Sequence, residues 1–184
     1  ISLGSLIIAL GLAVCFRSNV WNIGAEGQFV LGAIFASGVA LMAGPESGRG
    51  VVVLVLLAGV LGGMFWAGIT ALLRDRFNAN EILVSLMLVY VAIQVLNYLV
   101  YGPWKDPLGY NFPQTKTSAA VTQIPKLMQG SRVNIGLLLA LAGVAGAWLF
   151  LFRTYSGFAQ IVGGLAPAAA RYAGFSSRKA LWIA

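Results

Sequence analysis

Five long apolar stretches follow one another along this chain, and they constrain its fold more than any other feature. They cover residues 1–16, 23–43, 51–73, 82–100 and 135–152, and a further stretch starts at about residue 180. A helix of about 20 apolar residues crosses the hydrocarbon core of a bilayer. The sequence therefore predicts an all-α fold, a polytopic transmembrane helical bundle with about five to six membrane-spanning helices.

The composition leads to the same conclusion, because 59% of the 184 residues are hydrophobic and only 9% are charged. A soluble domain would expose large apolar patches at this ratio. The first stretch is short and lacks an initiator Met, and the last one is cut off soon after it starts. We therefore expect residues 1–184 to be one transmembrane domain, as a fragment of a longer protein.

The net charge of +7 could indicate nucleic-acid binding, but the basic residues lie between the apolar stretches and form no compact patch. This distribution is typical of loops that face lipid head groups, so the expected partner is a lipid bilayer and not nucleic acid. The denser set of basic residues predicts the cytoplasmic side; it comprises Arg17, Arg74, Arg76, Arg153, Arg171, Arg178 and Lys179.

Several kinds of chemistry are excluded by residue content. The chain has no histidine and one cysteine, and it lacks the Lys-containing P-loop of nucleotide-binding proteins. His-based catalysis, the usual zinc sites and an internal disulfide are therefore absent. We expect no enzyme activity, no metal site and no cofactor.

The segment NVWNIGAEGQF, residues 19–29, places polar side chains at the start of the second apolar stretch: Asn19, Asn22, Glu26 and Gln28. In a helix the first three would share one face. Gly24 and Gly27 make a regular helix costly, which favours a break or a re-entrant turn. Such backbone persists at membrane depth where it is buried in protein or lines a wet cavity. The alternatives are a substrate pathway and a simple helix cap at the head-group level.

The fourth stretch carries polar and aromatic residues at helical spacing, namely Tyr90, Gln94, Asn97 and Tyr101. A stripe of this kind is expected to face protein or water and not lipid. Amides and tyrosines could bind a polar solute, while the alternative is interhelical hydrogen bonding.

Small residues recur four apart in two stretches, as Gly32, Ala36 and Ala40 and as Gly59 and Gly63. This spacing predicts close helix packing.

Two loops are candidates for partner binding. Residues 153–179 contain a short helix-forming run with a proline at its start and Gly174 at its end, which predicts a surface helix that docks on a soluble partner or a solvated connector. The predicted docking residues are Pro167, Ala169, Ala170, Arg171, Tyr172 and Gly174. In the outer loop, residues 101–133, Trp104, Lys105 and Asp106 form a rigid turn that suits either protein docking or interfacial anchoring.

Four segments resemble known motifs in order along the chain: FRSNVWNIGAEGQFVLGA, FNANEILVSLMLVY, YLVYGPWKDP and GGLAPAAARYAGF. Together they closely resemble the integral-membrane permeases of ABC importers, in the branch that handles nucleosides and simple sugars. The sequence departs from the family pattern at Val89, Ala166, Ala168 and Phe175.

The resemblance implies a subunit without catalytic chemistry, in the bacterial inner membrane, that forms the pathway for a nucleoside or a simple sugar. The implied partners are cytoplasmic ABC ATPase subunits, a second permease subunit and an extracytoplasmic substrate-binding protein. In the family, the segment that matches GGLAPAAARYAGF lies in the cytoplasmic loop that contacts the ATPase. The alternatives are a branched-chain amino acid importer and a self-contained secondary transporter or channel.

Overall fold

The computed structural model of the protein describes residues 3–43, 48, 50–106, 115 and 136–183. Within these residues the chain forms eight α-helices. They are α1 (Leu3–Arg17), α2 (Ala25–Met42), α3 (Val51–Phe77), α4 (Glu81–Tyr101), α5 (Gly136–Arg153), α6 (Tyr155–Leu165), α7 (Pro167–Tyr172) and α8 (Ser177–Ile183). Most of the predicted outer loop lies outside the described residues.

Four helices, α2 to α5, are long and apolar enough to cross a membrane. Helix α1 is also apolar but has 15 described residues, which is below the length of a full span. The prediction of an all-α transmembrane helical bundle is confirmed.

Helix α3 continues to Phe77, four residues beyond the predicted end of its apolar stretch. Arg74 and Arg76 occupy its last turn, where positive charge interacts favourably with the helix dipole. Helix α4 follows after three residues, and its Ile82 backbone N–H donates to Asn80 Oδ1 at 3.0 Å. This side-chain cap compensates for one of the unpaired N–H groups at a helix start.

The chain divides into two compact units. The first, called here the terminal unit, comprises residues 1–22, 71–82 and 124–184. The second, called the central unit, comprises residues 23–70 and 83–123. The boundaries therefore pass through the segment between α1 and α2, through α3 and through the start of α4.

In the terminal unit α1 packs against α5 and α6, and α6 also packs against α5, α7 and α8. The guanidinium of Arg17, in the last turn of α1, lies 5.6 Å from the ring centroid of Phe152 near the end of α5. The ends of these two helices are therefore adjacent, with a cation–π contact between them.

The core of the central unit consists of apolar side chains from three helices: Leu31 and Ile34 of α2, Trp66 of α3 and Ala92 of α4. Helices α2 and α3 approach closely, since a Cβ on Gly32 would lie 2.9 Å from the Gly59 carbonyl oxygen. A Cβ on Gly59 would lie 3.5 Å from the Ala36 side chain. The predicted packing of small residues is therefore confirmed.

The segment 153–179 is more helical than the sequence analysis indicated. Helix α6, with 11 residues, precedes the predicted short helix, and α8 begins at Ser177 and not at residue 180. Thr154 is the N-cap of α6, because its Oγ1 accepts a hydrogen bond from the Gly157 N–H at 3.0 Å.

Candidate functional site

The polar segment between α1 and α2 is non-helical from residue 18 to residue 24. Asn19 has a φ of 57°, and its Oδ1 accepts a hydrogen bond from Trp21 Nε1 at 3.1 Å. The Trp21 ring also packs against Phe16, with 5.5 Å between the centroids. These contacts hold a turn in a left-handed conformation that asparagine tolerates better than most residues.

The shared helical face considered for Asn19, Asn22 and Glu26 does not form, because α2 begins only at Ala25. Asn19 and Asn22 belong to the terminal unit, whereas Glu26 and Gln28 belong to the central unit. Glu26 is exposed in the first turn of α2, where a negative charge stabilises the helix N-terminus. Gln28 is half-buried on the same helix.

Gly24 and Gly27 allow close packing of α2 against α4 and do not loosen the helix. A Cβ on Gly24 would lie 2.8 Å from the Ser85 Cβ, and one on Gly27 would lie 3.1 Å from the Val89 Cα. Gly27 lies inside regular α2, so the break predicted from the two glycines ends before it. Both positions need a residue without a side chain because backbone atoms of α4 occupy the space.

The polar stripe of α4 lies on the exposed face of that helix in the central unit. Tyr90 is 66% exposed, Gln94 and Asn97 are exposed, and Asn97 Nδ2 donates to Gln94 Oε1 at 3.1 Å. The buried face carries Val89 and Ala92. The structure thus brings Gln94 and Asn97 together as a pair of amides on a membrane-spanning helix.

The predicted docking helix corresponds to α7, which begins with Pro167 and is followed by Gly174 at a φ of 82°. Ala170 is 4% exposed, whereas Tyr172 is 97% exposed. Pro167, Ala169 and Arg171 are exposed as well. Helix α7 is therefore fixed through Ala170 and leaves the Tyr172 side chain almost fully exposed.

Helices α6 and α8 are joined by a buried side chain that the sequence analysis did not identify. Gln160 is 1% exposed, and its Nε2 donates to the Ala180 carbonyl oxygen at 3.0 Å. Its Oε1 is buried and has no hydrogen-bond partner in the described part of the chain. The available signal was a glutamine flanked by apolar residues in the segment FAQIV.

The end of α3 is tied to α8 by an ion pair that joins residues more than one hundred positions apart. Arg178 contacts Asp75 Oδ2 through Nε at 2.8 Å and through Nη2 at 2.7 Å, and Trp182 Nε1 donates to the same oxygen at 3.2 Å. Asp75 lies beyond the apolar part of α3, and the hydrogen bond from Arg178 holds the pKa of its carboxyl below the ordinary value. A second ion pair joins Arg74 to Glu81.

These elements enclose a cleft of about 700 Å³ in the terminal unit. The turn after α1, the end of α3, and residues of α6, α7 and α8 line it. Four basic side chains and one acidic side chain belong to its lining, namely Arg74, Arg171, Arg178, Lys179 and Asp75. The cleft is therefore strongly basic, and Gln160 is also part of its wall.

The structure places the three residues of the outer turn at the end of α4. Trp104 packs against the core of the central unit, and a Cβ on Gly38 would lie 3.6 Å from its ring. The Lys105 backbone forms an isolated β-bridge with Thr115. Lys105 and Asp106 are both half-buried. The tryptophan ring is thus engaged within its own unit.

Apolar helices of spanning length, joined by turns with basic residues, define a multi-pass helical membrane protein. The profile of the family described as "Branched-chain amino acid transport system / permease component" matches residues 3–184. The chain belongs to this family, and the predicted relation to ABC permeases is confirmed.

Three relatives carry more specific names. The chain is 36% identical over 182 residues to the glucose ABC transporter permease protein TsgB13 of Haloferax volcanii, which covers 92% of this chain and 47% of the relative. It is 29% identical to the guanosine ABC transporter permease protein NupP of Bacillus subtilis, over 95% of this chain and 50% of the relative. It is 28% identical to the nucleoside ABC transporter permease protein NupB of Lactococcus lactis, over 98% of this chain and 52% of the relative.

The chain thus spans about half the length of the curated relatives it matches. No solved structure matches it.

Proposed function

We propose that this chain is part of the permease subunit of an ATP-driven importer and contributes to the translocation pathway for a nucleoside or a simple sugar. The observation that carries the proposal is family membership over nearly the whole chain, together with relatives named for glucose, guanosine and nucleosides. In this proposal the permease performs no chemistry, and ATP is hydrolysed on a separate subunit. The expected location is the inner membrane of a bacterial cell, with two permease subunits forming the pathway.

A branched-chain amino acid is the second candidate solute, because the family description itself refers to branched-chain amino acid transport. The printed names of the three relatives favour the nucleoside or sugar over this alternative.

The test uses the full-length protein with its candidate ATPase in nanodiscs. ATP hydrolysis is followed while binding protein loaded with a nucleoside, a sugar or an amino acid is added. Stimulation by one loaded class supports the importer and identifies the solute class. Ligand flux without ATP, combined with no ATPase association, would replace the proposal with a secondary transporter or channel.

Helix α7 is the proposed contact with the cytoplasmic ATPase. Its support is the combination of a packed Ala170 with an almost fully exposed Tyr172 on one short helix. An exposed aromatic side chain on a fixed support is a typical anchor in a protein interface. Arg171 would add a charged contact at the rim of the same interface.

Tyr172→Ala is expected to reduce co-purification of the ATPase about tenfold, in line with an aromatic interface anchor. Tyr98→Ala is the matched control, since Tyr98 is 71% exposed on α4 in the central unit. Gly174→Trp is a poorer test, because the φ of 82° strains any other residue there. Equal ATPase recovery from both tyrosine variants would refute the role of α7.

The substrate pathway is proposed to include the stripe of α4 and the polar segment before α2, that is, Asn19, Asn22, Glu26, Gln28, Tyr90, Gln94 and Asn97. A pair of amides exposed to lipid would be costly, so a wet or protein-covered surface suits the Gln94–Asn97 pair better. The loss of amide donors and acceptors would weaken solute binding, since buried polar groups fix a ligand's orientation.

The double variant Gln94→Leu with Asn97→Leu is expected to lower solute uptake at unchanged protein abundance. The single variants Glu26→Gln and Asn22→Ala test the polar segment at the start of α2 in the same way. Met87→Leu, on an exposed position of the same helix, is the control. Normal uptake by all the polar variants would refute the pathway assignment.

The turn at Trp104, Lys105 and Asp106 is the proposed docking point of an extracytoplasmic binding protein. Because the Trp104 ring packs into the central unit, the charged side chains are the better candidates for direct contact. Lys105→Gln should therefore weaken stimulation of ATP hydrolysis by loaded binding protein, and an unchanged response would exclude Lys105.

A further inference from the structure

The basic cleft of the terminal unit contains cations that the fold does not use. Arg74 pairs with Glu81, and Arg178 pairs with Asp75. The side chains of Arg171 and Lys179 form no ion pair or hydrogen bond within the described residues, and both line the cleft. Two uncompensated positive charges on one concave wall favour an anionic ligand.

Gln160 indicates that a ligand of this cleft also supplies a hydrogen-bond donor, independently of its charge. Its Nε2 is committed to the Ala180 carbonyl, which can only accept a hydrogen bond, so the amide orientation is fixed. Its Oε1, in a side chain that is 1% exposed, is left as an acceptor without a donor among the described residues. A buried acceptor of this kind is uncommon unless a water or a ligand supplies the donor.

The neighbouring helices indicate which anion is abundant at the cleft. The last turn of α3, a helix long enough to cross a membrane, lines the cleft, and so does the turn that follows the shorter apolar helix α1. Residues at the end of a membrane-spanning helix are expected at the level of the lipid head groups, where phosphate is the abundant anion.

We propose that this cleft binds the head group of an anionic phospholipid that carries both a phosphate and a hydroxyl, as phosphatidylglycerol does. The phosphate contacts Arg171 and Lys179, and a head-group hydroxyl donates to Gln160 Oε1. Arg74 and Arg178 remain in their ion pairs and add to the positive potential of the wall. Arg171 is shared with the proposed ATPase contact of α7, but lipid binding is measured with neither the ATPase nor a transported solute present, so the two proposals are tested separately.

The experiment measures lipid binding to the purified full-length protein by native mass spectrometry. Phosphatidylglycerol, phosphatidylethanol and phosphatidylcholine with identical acyl chains are added in turn. Phosphatidylglycerol is expected to bind most tightly, because phosphatidylethanol carries the same single charge without a head-group hydroxyl and phosphatidylcholine lacks the net charge. Equal binding of the glycerol and ethanol lipids would overturn the hydroxyl contact with Gln160, and equal binding of all three would overturn the proposal.

A charge-matched pair of double variants tests the cations. Arg171→Gln with Lys179→Gln is expected to weaken phosphatidylglycerol binding about thirtyfold, as two surface cations contribute to lipid attraction. Arg76→Gln with Arg153→Gln removes the same charge from exposed residues that do not line the cleft, and should have a much smaller effect. If the two double variants lost phosphatidylglycerol affinity equally, the attraction would be a general effect of positive charge, and the proposed site would be overturned.

A soluble phosphate compound could satisfy the same groups, so sn-glycerol 3-phosphate is added as a competitor. The lipid site predicts retention of phosphatidylglycerol at millimolar competitor. Displacement of the lipid by sn-glycerol 3-phosphate at micromolar concentration would overturn the lipid as ligand and assign the cleft to a soluble phosphate ester. Because ATP hydrolysis is not measured, failure here leaves the importer proposal untouched.

Discussion

The central and terminal units of this protein are held together by different forces. In the central unit, α2 and α3 approach through glycines and alanines, and apolar side chains fill the core around Trp66 and Ala92. In the terminal unit, the ion pair of Asp75 with Arg178 and the bond from Gln160 to the Ala180 carbonyl join separate helices. Van der Waals packing dominates the first unit, and directional polar contacts are prominent in the second.

This difference follows from the kinds of helices that are joined. Lipid provides little hydrophobic drive for helix association, so small residues and close backbones supply the contact between the spanning helices α2 and α3. The polar contacts of the terminal unit join the last turn of α3 to α8 and connect α6 to α8. Helices α6 and α8 are too short to cross a membrane, and these polar contacts fix them to their neighbours.

The largest effect is expected from overpacking the central unit. Gly32→Val should lower the free energy of unfolding by about 3 kcal/mol, because the added Cβ would lie 2.9 Å from the Gly59 carbonyl oxygen and the backbones would have to separate. Thermal or denaturant unfolding of the full-length protein in detergent is the measurement.

Gly68→Val, on α3 in the same unit, provides the control for Gly32→Val. Apart from the backbone of α3 itself, no atom of the described residues would lie within 4 Å of a Cβ at Gly68, so this variant should remain close to wild type. If the two variants lost equal stability, close packing of α2 on α3 would not be what holds the central unit.

The sequence was sufficient to predict the features that are local and periodic. Apolar stretches of spanning length predicted the all-α membrane bundle, and the spacing of Gly32 and Ala36 predicted close helix packing without identifying the partner helix. The pairing of Asp75 with Arg178 was not predictable, because charge alone does not select one partner among several basic residues far apart in sequence. Helix α6 was missed because its glycines and polar residues lower helix propensity, while its capping by Thr154 and its packing compensate.

A medium effect is expected from removing the buried amide that joins α6 to α8. Gln160→Leu keeps the volume but leaves the Ala180 carbonyl without its donor, which should lower the free energy of unfolding by about 2 kcal/mol. Hydrogen exchange of the α8 amides should accelerate as well. Gln94→Leu, an exposed glutamine in the central unit, should leave α8 exchange unchanged.

The smallest effect is expected from Asp75→Asn, which removes the charge of the ion pair but keeps an acceptor for Trp182 Nε1. The Arg178 side chain is 66% exposed, so solvent and salt screen the pair and its net contribution to stability is small. Because Arg178 lowers the pKa of Asp75, the contribution of the pair is fully present above the ordinary pKa of about 4 and is lost as pH falls through the lowered value. The melting temperatures of the wild type and Asp75→Asn should therefore differ slightly at neutral pH and converge in acid. A difference that grew on acidification would mean that Asp75 is stabilised in its protonated form, and the terminal unit would then not depend on this charge.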